Sequence, residues 1–376
     1  MSTPPPATRR YRIERYLTEG GMGAIYLGKK LGAVGFERPV VLKQLLPEFT
    51  TRPEFRDLFF REARISASLD HVNIVRTYDL VRSDDTLFIV MEYVPGTDLR
   101  TISWRARRKR RPLSTAAVLF VAQEVLTGLA YMHGKTNRDG ESLGIIHRDV
   151  SPSNILCSLQ GEVKLSDFGI AKATAFASVF YKVRGKVGYM SPEQARSEVI
   201  DARSDLFSVA VCVFETFLGA RLFVGDLQTP PEEVYARPLP SLSQLTADIP
   251  PELDQVFARA LATDPESRFP SADEFFQTLR SVTQRYGLAY SSKDLANELT
   301  SLLGADPEKW SQDETVTGDT QRMDLSGAPA PRPKIGKEPS FFDVISTSND
   351  SDAETGKTQN ADAQRTRVAS APPSFE

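Results

Sequence analysis

The chain has 376 residues, a formal net charge of −3, 40% hydrophobic and 25% charged residues. That length exceeds one typical core and predicts two or more packed units with tails, and the near-neutral balance excludes a generally basic nucleic-acid binder. Two cysteines, Cys157 and Cys212, lie far apart in apolar stretches, which argues against a disulfide framework and fits a reducing cytoplasm.

Residues 1–10 are rich in Pro and Thr with no apolar core, so they predict a disordered N-terminus and no signal peptide. Tyr11 to Leu17 predicts a strand. Gly20-Gly21-Met22-Gly23 interrupts it and Ala24 to Leu27 resumes, a hairpin with a flexible tip. Val40 to Leu45 predicts a third strand. From Pro53, a favoured first helical residue, Phe55, Leu58, Phe59, Glu62 and Ile65 share one helical face. A carboxylate on that apolar stripe is costly unless a cation meets it. Val72 to Tyr78 and Leu87 to Met91 complete a β-rich unit, and Glu92 to Gly96 reads as a connector.

Beyond the connector the pattern turns helical. A basic run without an acid, Arg100, Arg105, Arg107, Arg108, Lys109, Arg110 and Arg111, reads first as a solvated helix face and loop; the sharper alternative is a docking surface for an acidic substrate, a nucleic acid or another anionic partner. Ser114 predicts the N-cap of a helix reaching about Tyr131. His133 to Gly144 predicts a polar loop. Further helices are predicted over Ser204–Leu218, Glu252–Ala262 and Ser271–Tyr286, with one more possible over Asp294–Leu303. The most apolar run, Leu206 to Phe223, is broken by Glu215 and Arg221 and reads as a buried core helix, not a membrane span. Residues 305–376 shift to Pro, Ser, Thr, Asp and Gly and predict disorder. Within them Thr315, Thr317 and Thr320 stand among acids, as phosphoacceptors for a phosphothreonine-binding partner or as plain spacer.

Two stretches concentrate polar chemistry. Ile145 to Leu156 sets His147, Arg148, Asp149 and Asn154 between apolar pairs, and Asp167-Phe168-Gly169 follows the strand-like Val163-Lys164-Leu165. Two acids and an amide at this separation can converge on a hard divalent cation.

In this order the motifs resemble the protein-kinase superfamily over residues 11–285, and their wording is most similar to bacterial serine/threonine kinases of the eukaryotic, Hanks type. The resemblance implies an α+β, bilobal protein-kinase fold: N-lobe 11–91, hinge 92–96, a larger helical C-lobe 97–285, a possible extra helix within 286–304 and the tail 305–376. It implies ATP as phosphoryl donor with Mg²⁺, or Mn²⁺, as metal, and protein substrates that include the kinase itself. Gly20, Gly21 and Gly23 would let backbone N–H groups approach the phosphates, although the first glycine of the pattern is Thr18. Lys43 would hold the α- and β-phosphates and Glu62 would orient it. Asp149 would be the catalytic base, with Asn154 and Asp167 on the metal. Ile25, Val41, Met91 and Leu156 would sandwich the adenine, with Glu92 and Val94 as hinge contacts; a purely core role for the apolar ones fits the sequence equally. Glu193 with Arg268, and Asp205, would be structural. Arg148 would pair with a phosphate on the activation loop, at Thr174 or Ser178.

Two positions depart from the family pattern. Ser151 stands where a lysine that contacts the γ-phosphate is usual, and Lys186 stands where a threonine is usual. The expectation is an exchange across one contact, Lys186 reaching the γ-phosphate and Ser151 supplying the hydroxyl; Lys186 facing solvent is the alternative. Against the kinase reading stands an ATP-binding pseudokinase or scaffold acting through the basic run and tail.

Overall fold

The structure is a computed structural model that describes residues 10–20, 23–83, 86–168, 187–224, 229–236, 238–306 and 310. The chain divides into two units, Met1–Gly318 and Asp319–Glu376, and the second lies wholly outside the described residues. So do residues 1–9, residues 169–186 with Thr174, Ser178 and Lys186, and the tail threonines.

The first lobe is an antiparallel sheet of β1 (Tyr11–Gly20), β2 (Gly23–Leu31), β3 (Glu37–Leu45), β4 (Thr77–Ser83) and β5 (Thr86–Glu92), in the order β1-β2-β3-β5-β4. A short helix α1 (Pro47–Thr50) leads into α2 (Pro53–Ala67), where proline occupies the first turn, as its missing N–H allows. Alternation on β3 explains the layering. Val40 and Leu42 pack with Val81, Phe88 and Val90, while Leu45, on the opposite face, packs with Phe55, Leu58 and Phe59 of α2. Val41 and Lys43 share that second face. The strand expected over Val72–Tyr78 is displaced to Thr77–Ser83, because residues 73–75 bond to the other lobe: Val75 N–H donates to Leu165 O at 2.9 Å and Asn73 Nδ2 to Val163 O at 3.0 Å.

After the connector, β6 (Gly96–Asp98) pairs with β7 (Ile155–Ser158), which pairs with β8 (Val163–Leu165). The helices are α3 (Leu99–Arg108), α4 (Thr115–His133), α5 (Pro192–Ala195), α6 (Ala202–Leu218), α7 (Pro231–Tyr235), α8 (Glu252–Ala260), α9 (Ala272–Arg285) and α10 (Ser292–Leu303). Asp98, Ser114, Ser271 and Ser291 cap α3, α4, α9 and α10 with side-chain oxygens. The core gathers around α4 and α6 and includes both cysteines, which are free and buried. By length and composition α4 is apolar enough to cross a membrane, and most of it is buried in this core. The helix reaches His133, which therefore belongs to α4 and not to the polar loop expected there.

Helix α10 is part of the packed lobe. Gly161, at φ +78°, accepts its backbone: a Cβ there would lie 1.8 Å from Ser292 O. Ser114 donates from backbone N and Oγ to Glu298, at 2.7 Å each. The basic run is accordingly not a solvated face throughout. Arg105 is buried, and Lys109 Nζ donates to Leu302 O at 2.5 Å, with Arg111 Nη1 at 3.4 Å from Ser301 O. Cations at the last carbonyls of a helix satisfy orphan acceptors and oppose its dipole.

Candidate active site

Lys43 lies on the α2-facing side of β3, and Glu62 on the stripe that packs α2 beneath it. Lys43 Nζ is 2.5 Å from Glu62 Oε1 and 2.9 Å from Asp167 Oδ1, with Glu62 only 5% exposed. The cation demanded by the carboxylate on the apolar stripe is thus Lys43. Burial by itself would lower the Lys43 ammonium, but the charges of Asp167 and Glu62 outweigh it and hold its pKa above the usual lysine value. Burial raises the Glu62 carboxyl, against the pull of Lys43.

The polar loop is held from below by α6. Asp205, in the first turn of α6, accepts from His147 N at 2.8 Å and from Arg148 N at 2.8 Å, and also contacts His133 Nε2 at 2.8 Å. The His147 ring is fully buried. Its Nδ1 accepts from Asp149 N at 3.3 Å, so Nε2 carries the proton it donates to Ser166 O at 3.2 Å. The same ring lies 5.0 Å from that of Phe168, tying the loop to the Asp167-Phe168 segment. Arg148 and Asp167 adopt φ +66° and +56°. Left-handed backbone at residues with a Cβ costs on the order of 1 kcal/mol and persists only when neighbours over-determine it. Asn154 Nδ2 donates to Asp149 O at 2.7 Å and to Asp149 Oδ2 at 3.0 Å, which sets the direction of the Asp149 carboxylate.

A second buried ion pair braces the loop from the far side. Arg268, 2% exposed, grips Glu193 with both Nη atoms at 2.8 Å, and Ser204 Oγ donates to the same carboxylate at 2.5 Å. Burial would raise Glu193, yet these donors hold it down at about 2. Gln194 beside it completes a capping box with Ser191 and sends Nε2 to Arg148 O at 3.3 Å. Gln194 escaped sequence reasoning, although its place three residues after Ser191 is a capping-box signature. Lys164 also escaped it. This buried lysine pairs with Glu92 at 3.1 Å behind the connector, and nothing in the local pattern of β8 marks it.

The expected adenine-facing residues fall on one register. Ile25 lies opposite Lys43 and Val41 opposite Met91. Ile25, Val41, Met91 and Leu156 are half-buried, whereas Val94 is buried. Glu92 N–H is committed to Arg76 O at 2.8 Å. Gly20 pairs with Gly23 across the hairpin tip. A Cβ on Gly23 would come within 2.8 Å of Gln44 O, so close approach to β3 requires glycine there. Gly21 lies outside the described residues, as does Lys186, so the exchange with Ser151 has only one described member. Ser151 is 1% exposed and its Oγ has no hydrogen-bond partner among the described residues.

The donor set suits a hard divalent ion. With Asn154 Nδ2 spent on Asp149, the amide oxygen is the atom that would be left to ligate, and the Asp167 carboxylate would be the charged oxygen donor. Two such ligands are too few for a closed cage, the arrangement in which substrate phosphates and water complete the shell.

A Lys–Glu pair reaching a second acid, together with a glycine hairpin and a braced polar loop, is the residue set of the kinase class of proteins. The protein kinase domain family matches residues 11–279. The chain belongs to that family, which uses ATP and a divalent metal. It is 40% identical over 291 residues to the tyrosine-protein kinase MasK of Myxococcus xanthus, covering 73% of this chain and 43% of that protein. It is 34% identical over 345 residues to the serine/threonine-protein kinase PknB of Mycolicibacterium smegmatis, covering 89% of this chain and 51% of that protein. The chain thus spans about half or less of these curated relatives. The crystal structure of the Mycobacterium tuberculosis PknI kinase domain superposes with a TM-score of 0.55 at 30% identity, covering 73% of this chain and 96% of that one.

Proposed function

We propose that this chain is an ATP-dependent protein kinase that transfers the γ-phosphoryl group to serine or threonine hydroxyls of proteins, itself included. The observation that carries the reading is Lys43 Nζ within hydrogen-bond distance of Glu62 and Asp167 together. Lys43 receives the α- and β-phosphates. Asp149, aimed by Asn154 Nδ2, orients the substrate hydroxyl and accepts its proton as the oxygen bonds to the γ-phosphorus; the bond from that phosphorus to the β-bridging oxygen breaks and ADP leaves with the electron pair. Asp167 and Asn154 would hold a divalent ion, Mg²⁺ or Mn²⁺, which would supply neutralisation of phosphate charge. Glu92 and Val94 offer backbone groups to the adenine edge, and Ile25, Val41, Met91 and Leu156 its apolar walls.

Wild-type protein should transfer label from ATP to itself and to a protein acceptor, and Asp149→Ala should reduce transfer by about a thousandfold while still binding nucleotide. Nucleotide binding with no transfer by the wild type would support the pseudokinase or scaffold reading instead. Serine and threonine are the acceptors named for PknB, and tyrosine for MasK, so a tyrosine acceptor is the second reading. Phosphoamino-acid analysis of the labelled protein separates them.

The buried Ser151 hydroxyl, without a hydrogen-bond partner among the described residues, supports the exchange with Lys186. Lysine is a mobile point charge that can serve from either wall. Lys186→Thr is expected to lower kcat about tenfold or more, and Ser151→Lys in the same chain to restore part of it. An unchanged kcat in Lys186→Thr would remove the proposal.

A further inference from the structure

The basic run has surplus charge that the fold does not use. Arg107, Arg108 and Arg110 are exposed, and among the described residues no carboxylate pairs with them. Between the end of α3 and the end of α6 lies a cavity of about 220 Å³. Leu113, Phe217 and Leu218 line it with apolar surface, Arg107 and Arg110 stand among its walls, and Ser103 contributes a buried hydroxyl without a partner. An apolar pocket walled by two unpaired guanidinium groups suits an extended anionic segment carrying one apolar side chain.

The chain itself carries such a segment close by. The described chain ends at Trp310, fully buried, with its indole N–H on Gly304 O at 2.8 Å, directly after the helix end that Lys109 and Arg111 cap. Next come Asp313-Glu314-Thr315-Val316-Thr317-Gly318, two acids and one valine with no base, which lie outside the described residues. Asp313 is within about 10 Å of chain from Trp310 and Val316 within about 20 Å. Arg110 and Pro112 of the cavity wall alternate in sequence with Lys109 and Arg111, whose side chains reach the end of α10.

We propose that residues Asp313–Gly318 dock on this cavity, Val316 entering between Leu113 and Phe217 while Asp313 and Glu314 pair with Arg107 and Arg110. The docking is independent of the phosphotransfer reading. It gives the basic run an intramolecular occupant in place of a nucleic acid or a separate acidic partner.

Hydrogen exchange followed by mass spectrometry on the full chain tests it. Amides of residues 312–318 should exchange about tenfold more slowly than an unstructured chain at low salt, and lose that protection at about 0.5 M salt. Arg107→Ala with Arg110→Ala should abolish it, as should Asp313→Lys with Glu314→Lys. Combining the latter pair with Arg107→Glu and Arg110→Glu should restore it, which separates lost pairing from a misfolded variant. Unprotected amides in the wild type overturn the proposal. So does protection that survives Arg107→Ala with Arg110→Ala, or protection that grows with protein concentration, the mark of a second copy.

Discussion

Lys43–Glu62 in the β-rich lobe and Arg268–Glu193 in the helical lobe are both buried carboxylate–cation pairs, and the two are built differently. In the β-rich lobe Glu62 meets Lys43 through one short contact, and the same ammonium reaches across to Asp167. In the helical lobe Glu193 meets Arg268 through a two-point fork, with Ser204 on the carboxylate and three backbone carbonyls, those of Ala262, Thr263 and Arg203, on the guanidinium. All five guanidinium protons of the second pair have a fixed acceptor, and its carboxylate accepts three hydrogen bonds. The first rests on a flexible point charge, which in the proposed function would turn from Asp167 to the phosphates while Glu62 keeps it oriented. Rigid fixation suits the brace beneath the polar loop, and a mobile cation suits the role proposed for Lys43.

Removing one partner of each pair is the most direct way to break this comparison. Arg268→Ala leaves Glu193 buried and uncompensated and should destabilise the fold by about 3–5 kcal/mol in denaturant unfolding. Arg268→Lys should recover only a minor part, since a lysine cannot make the fork. Lys43→Met should show the reverse balance: phosphotransfer falls by about a hundredfold or more, while the unfolding free energy changes by about half the Arg268→Ala effect or less, because the Glu62 carboxyl, already raised by burial, can take up a proton and Asp167 is partly exposed. Comparable stability losses in the two variants would show that the pairs are equivalent, against this account.

Acid separates the pairs more gently. Glu193 is depressed from 4.5 to about 2 in the fold, so its contribution is complete above about pH 4.5 and is lost as pH falls from there towards 2. Glu62 is raised above 4.5, so it takes up its proton first, at a pH where Glu193 is still charged. Nucleotide affinity, which follows the Lys43–Glu62 pair, should therefore weaken at higher pH than the intrinsic fluorescence of Trp104 and Trp310, both in the helical lobe, reports unfolding. Coincident transitions would deny the difference.

Legibility in the sequence followed the same division. Glu62 was readable because 3.6-residue periodicity placed a charge on an apolar stripe, and a buried charge demands a partner. The helices α4, α6, α8 and α9 and the strands β3 and β5 announced themselves by period and caps. Val72–Tyr78 misled because an extended, β-branched stretch looks the same whichever lobe it bonds to. The basic run was legible in part: Arg107, Arg108 and Arg110 are exposed as expected, whereas the burial of Arg105 and the reach of Lys109 and Arg111 to α10 depend on acceptors and neighbours distant in sequence. Gln194 on Arg148 O and Lys164 on Glu92 are single contacts between distant segments, and no local pattern encodes them.

By itself the sequence determined the element types, the hydrophobic faces and the identities and order of the reactive groups, because periodicity, capping and spacing are local properties of the chain. Only the tertiary structure decided which charges meet: Lys43 with Glu62 and Asp167, Arg268 with Glu193, and Lys109 with the end of α10. Those pairings join residues brought together by packing, where the cost of leaving a buried charge or carbonyl alone selects the partner.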